Sequence, residues 1–148
     1  MRIARLVGAI LLLATPTFAH VTVTLAMSAP GATETYTFRV PSERGMTTTS
    51  VVLDVPDGVT LMSVSAPSGA KHEETRKAGR IVTVKWTILI KPGASAELSF
   101  VARNPQNGSD INWHVHQYYS DGMKSDWTGE PASRAPAPIT MLEAVAEK

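Results

Sequence analysis

The chain has 148 residues, a formal net charge of +1 and no cysteine. A near-neutral charge gives no electrostatic reason to bind nucleic acid or an anionic membrane. The absence of cysteine excludes disulfides, thiolate metal sites, a cysteine nucleophile and a cysteine-linked lipid anchor. In chain order, residues 1–19 read as a secretory signal peptide. Arg2 and Arg5 form a positive start, Val7 to Ala14 is a short apolar run, and Thr15-Pro16-Thr17 breaks it. Thr17 and Ala19 then place small residues where a signal peptidase reads. The apolar run falls short of the roughly 20 residues a spanning helix needs. Cleavage after Ala19 leaves one domain, His20 to Lys148, of 129 residues, which is 19 fewer than 148. Losing Arg2 and Arg5 turns 14 cations against 13 anions into 12 against 13, so the charge moves from +1 to −1. No second apolar stretch approaches membrane length. The expected product is periplasmic, with no membrane anchor in the mature chain.

Period-two patterning, the mark of a strand, dominates the rest. Val21 to Leu25 alternates apolar and hydroxyl residues, and Thr35 to Val40 alternates again. Thr48 to Val55 is β-branched and apolar, and ends at Pro56-Asp57-Gly58, residues suited to tight turns. Val59 to Ser65, the long run Arg80 to Ile90 and Ser95 to Ala102 follow. Ile111 to Tyr119 is another strand, and Ile139 to Val145 either ends a strand or begins a frayed tail. Ala66 to Gly79, small and charged, and Asp126 to Pro138, rich in Pro and Gly, read as loops. Seven to eight short strands punctuated by Pro and Gly predict an all-β, antiparallel sandwich. The last residues from Glu143 read as a flexible, solvated end.

A histidine at the processed terminus has chemistry no internal histidine offers. Its α-amino nitrogen and its Nδ1 can bind one ion and close a chelate ring. The α-amine has a pKa of roughly 7.7–8.0, so a Lewis acid deprotonates it at little cost near neutral pH. Nitrogen donors in a tetragonal set favour Cu(II), which also heads the divalent affinity order. The alternative is that His20 merely opens a strand as a polar residue.

Further ligands must come from elsewhere in the chain. "AHVTV", "YTFRVPSERGMTT", "ELSFVARNP" and "QYYSDGMKSDWTGEPASRAPAP" occur in that order over nearly the whole mature chain. Together they resemble the YcnI-like family of bacterial cell-envelope copper proteins. The resemblance implies a β-sandwich similar to cupredoxins or immunoglobulin domains. It also implies a Cu(II) site called a monohistidine brace, with His20 giving amine and imidazole, Glu43 of "RVPSE" giving carboxylate oxygens, and Trp127 packing beside the metal. The implied role is a non-enzymatic copper carrier, or metallochaperone, or a sequestration protein serving another envelope copper protein or transporter. Two stretches depart from the family pattern. Ala66–Gly79 lacks a Pro-Gly-Trp element, and "TILIKPG" stands where a glycine pair is common.

His114 and His116 in "WHVHQYY" form the rival constellation. Strand residues two apart point the same way, so both imidazoles can face one metal. That arrangement would make either a secondary metal site or, with His20, a copper oxygenase or CopC-like site. The third alternative is a metal-free envelope interaction module. His72 in "KHEE" reads as a loop histidine without the second histidine of the zinc-protease motif. Met27, Met46, Met62 and Met123 are scattered and read mostly as core or loop fillers.

Overall fold

The computed structural model describes residues 20–144, so the expected leader and the last four residues lie outside the described part. Twelve strands occur among the described residues, and no helix. They are β1 (Thr22–Thr24), β2 (Met27–Ser28), β3 (Thr33–Pro41), β4 (Thr48–Asp54), β5 (Thr60–Val64) and β6 (Lys71–Lys77). β7 (Arg80–Ile90), β8 (Ser95–Arg103), β9 (Asp110–Asn112), β10 (His114–Tyr119), β11 (Lys124–Trp127) and β12 (Ile139–Leu142) complete them. One sheet runs β1-β3-β8-β5, the other β11-β10-β4-β7-β6, and a small third sheet runs β2-β12-β9. All pairings are antiparallel except β2 with β12.

The alternation read from the sequence lies on the core side of these sheets. Tyr36, Phe38 and Val40 of β3 are buried, as are Leu98, Phe100 and Ala102 of β8. The register sets Tyr36 opposite Phe100 and Phe38 opposite Leu98. From the other large sheet come Val51, Leu53, Val84 and Trp86, all fully buried. Trp86 meets Phe100 across the gap with ring centroids 6.4 Å apart. Trp113 sits between the sheets, 4.9 Å from Tyr36 and 5.3 Å from Phe100. These tilted and edge-on ring pairs add roughly 0.5–1.5 kcal/mol each beyond area burial.

Three expectations need correction. The stretch Ala66–Gly79 is not all loop, because β6 occupies Lys71–Lys77 and pairs with β7. All seven of its residues are exposed, so no apolar alternation marks it. Charged residues on an outer strand also discourage edge-to-edge pairing. A two-residue turn joins the pair, with Ala78 at φ 51° and Gly79 at φ 77°, the twist that suits a tight hairpin. Second, Ile111–Tyr119 is two strands in two sheets, divided at Trp113, whose N–H donates to the Pro138 carbonyl at 2.9 Å. Third, Asp126 and Trp127 belong to β11 rather than to the loop that follows it.

Candidate metal centre

β1 pairs with β3 so that Thr22 faces Arg39 and Thr24 faces Thr37. His20 lies two residues ahead of the first paired residue of β1. Val21, 2% exposed, anchors the start of the described chain in the core. Two residues past Pro41 comes Glu43, exposed on the loop between β3 and β4.

That loop is held by a polar network that the sequence reading did not single out. Ser42 hydrogen-bonds through its backbone to Ala94 and Gly93. Its hydroxyl donates to the Met46 carbonyl at 2.7 Å. With that proton committed, the 2.7 Å contact between Ser42 Oγ and Thr48 Oγ1 has threonine as donor. Thr48 Oγ1 in turn accepts from Gln117 Nε2 at 2.7 Å. The second Nε2 proton goes to the Pro41 carbonyl at 2.8 Å. Gln117 Oε1 accepts from Trp127 Nε1 at 3.0 Å. Indole N–H is a donor only, so this bond fixes which way the Gln117 amide points. Ser42, Thr48 and Gln117 are fully buried, and every hydrogen-bonding group of the three side chains' network has a partner. A satisfied buried network of this kind specifies one geometry. The signal for Gln117 was present in the alternation: it shares the inner face of β10 with Val115 and Tyr119. Beside the same loop, the Arg44 guanidinium lies over the Tyr119 ring at 5.8 Å.

Trp127 carries the network to His20. It is 8% exposed, and its indole lies against the His20 imidazole with centroids 5.7 Å apart and planes tilted by 53°. The structure therefore brings His20 and Trp127 together, with the Glu43 loop tied to Trp127 through Gln117 and Pro41. His20 also opens onto a cavity of about 550 Å³ that Ala132, Ser133 and Arg134 line. The loop bearing these three is closed by Gly129 N–H to the Ala135 carbonyl and Ala137 N–H to the Gly129 carbonyl, both 2.9 Å. Gly129 is required by close approach, since a Cβ there would crowd Ser133 Oγ and come within 2.9 Å of the Ala135 carbonyl.

His114 and His116 do not join this arrangement. Val115 is level with Trp127, and His116 with Asp126, so the two histidines lie on the opposite face of the ladder from Trp127. His116 Nδ1 contacts Asp126 Oδ1 at 2.5 Å and Nε2 contacts Asp54 Oδ2 at 2.8 Å. Burial alone would lower the His116 pKa, but the hydrogen bonds to Asp126 and Asp54 outweigh it and raise the value. Asp126 is held below the usual carboxylate range, first by its bond to His116, against a smaller effect of burial, with Lys124 assisting. A metal at His116 would have to displace a carboxylate from the ring. His72 is exposed on β6, 3.8 Å from Glu74. No cluster of three or more His, Asp or Glu suited to a metal occurs among the described residues.

The family model for a domain of unknown function, DUF1775, matches residues 20–142. The chain belongs to this family. The copper-binding protein CutI of Bacillus subtilis (strain 168) is 36% identical over 140 residues, covering 93% of this chain and 69% of CutI. The YcnI-like resemblance in the motifs thus extends to a relative named for copper binding. Among solved structures, an uncharacterised protein from Nocardia farcinica with an immunoglobulin-like fold superposes with a TM-score of 0.74 at 26% identity, covering 85% of this chain and 99% of that one. A non-cellulosomal cohesin from Archaeoglobus fulgidus shares the fold alone, with a TM-score of 0.51 at 10% identity over 84% of this chain and 91% of the other.

Proposed function

We propose that this protein binds Cu(II) in the cell envelope, where it carries or sequesters the ion without catalysing a reaction. In this reading a signal peptidase cuts after Ala19, in a periplasm-facing export step. The freed amine and Nδ1 of His20 and the carboxylate of Glu43 hold the ion, and Trp127 walls the site. The observation that carries the proposal is the His20–Trp127 ring contact, in a chain whose relative is named for copper binding. The donor set fits: two nitrogens and a carboxylate suit Cu(II) better than a soft ion. A carboxylate offsets part of the ion's charge, and the indole keeps water from one side. Few protein donors also suit a carrier, because a partner can replace them stepwise.

The separation of His114 and His116 from Trp127 weighs against a second histidine ligand of the oxygenase or CopC-like kind. Electron paramagnetic resonance with one equivalent of Cu(II) tests the reading. Nitrogen hyperfine structure is expected for the wild type, with a shifted spectrum for Glu43→Gln and an unchanged one for His116→Gln. One extra residue ahead of His20 should remove the signal's characteristic geometry. An unaltered spectrum from that extended protein would overturn the proposal.

A further inference from the structure

The small third sheet assembles a different donor set from three distant parts of the chain. Parallel pairing of β2 with β12 sets Met27 level with Met141. Antiparallel pairing of β9 with β12 sets Asp110 level with Met141 on its other side. Residues level across a ladder point to the same face, with strands about 4.8 Å apart. Burial of the neighbours decides which face. Thr140 and Leu142, on either side of Met141, are buried, and so is Ile111 beside Asp110. Met141 and Asp110 therefore point to water, and so does Met27. The two methionines are 44% and 57% exposed. They fill no gap in the core; Met27, one of the scattered methionines, lies on an exposed strand face rather than acting as a core or loop filler.

The result is a row of thioether, thioether and carboxylate on a solvent-facing sheet. Thioether sulfur is soft and selects Cu(I) over divalent ions. Methionine's three rotatable bonds let two neighbouring sulfurs converge on one ion. Asp110 also borders a cleft of about 400 Å³ whose lining includes Asp54 and Asp57, so the local field favours a cation. We propose that Met27, Met141 and Asp110 form a binding site for a soft monovalent cation, Cu(I). The site needs neither a free N-terminus nor Glu43, so it stands or falls separately from the Cu(II) centre.

Met62 on β5 and Met123 in the turn between β10 and β11 are exposed to a similar degree, at 56% and 53%. They serve as internal controls. The test is nuclear magnetic resonance of the purified protein with carbon-13 methionine methyl groups, titrated with Ag(I) as a redox-silent probe. The Met27 and Met141 methyl signals should shift together and saturate at one equivalent, ahead of Met62 and Met123. Met27→Leu and Met141→Leu keep the apolar volume and remove sulfur. Each should weaken Cu(I) binding, measured against a competing chelator, by about tenfold or more. Equal shifts at all exposed methionines, no shift at the pair, or wild-type Cu(I) affinity in either leucine variant would overturn the proposal. The wild-type titration decides the matter even if a variant fails to fold.

Discussion

On the inner face of β10, Gln117 donates to Pro41 and Thr48 and accepts from Trp127. On the outer face of the same strand, His116 is clasped by Asp54 and Asp126. The outer clasp joins β10 to β4 and β11 and engages both ring nitrogens, which makes it a cross-strand tie. The inner network contains no titratable group, yet it links the loop of Glu43 to the wall of His20. A histidine pair two apart on a strand drew attention in the sequence because its residue type is chemically versatile. Gln117, the residue after the second histidine, has the larger part in positioning the candidate site.

Replacing Gln117 should therefore have the largest effect. Gln117→Leu strips partners from Trp127 Nε1, the Pro41 carbonyl and Thr48. Buried groups left unsatisfied cost about 1–3 kcal/mol each, so chemical denaturation should record a loss of about 3 kcal/mol or more. Cu(II) affinity, read by competition titration, should fall roughly 10- to 100-fold, as for other residues that orient ligands. Gly129→Ala comes next. The added methyl collides with Ser133 and the Ala135 carbonyl, and overpacking of this kind costs roughly 1–3 kcal/mol. The spectrum of bound Cu(II) should change with it, because the displaced loop lines the cavity at His20.

His116→Gln should cost only about 1 kcal/mol after solvent screening of its partly exposed partners, and should leave Cu(II) affinity unchanged. A large loss of affinity would erase the distinction between the two faces. Its effect should also depend on pH. The His116 pKa is raised in the folded state, so its contribution is complete below the ordinary value of about 6.5 and fades as pH rises through the folded value. The Asp126 pKa is lowered, so its contribution is present above the ordinary value of about 3.9 and fades as pH falls through the folded value. Urea unfolding should thus separate wild type from His116→Gln most at about pH 5 and least at about pH 8.5. Arg44→Ala, which removes an exposed cation–ring contact, should cost the least, about 0.5 kcal/mol by thermal unfolding.

Much of the fold was legible because apolar alternation is a local signal. β3 and β8 bury one face at the two-residue spacing the sequence shows, as do Val51 with Leu53 in β4 and Val84 with Trp86 in β7. β6 was illegible because neither of its faces is buried, so its only specification is backbone pairing with β7. Trp113, which divides β9 from β10, looked like part of one continuous strand, because a change of sheet leaves the alternation intact.

The amino-acid order alone carried the sandwich class, the family motifs, and a histidine following a leader-like segment. Those depend on neighbours in the chain. Tertiary structure alone decided that Gln117 orders the Glu43 loop and that Met27 lies beside Met141. Each of these contacts joins residues far apart in sequence, and strand register, set by core burial summed over whole sheets, determines which distant residues become level with one another.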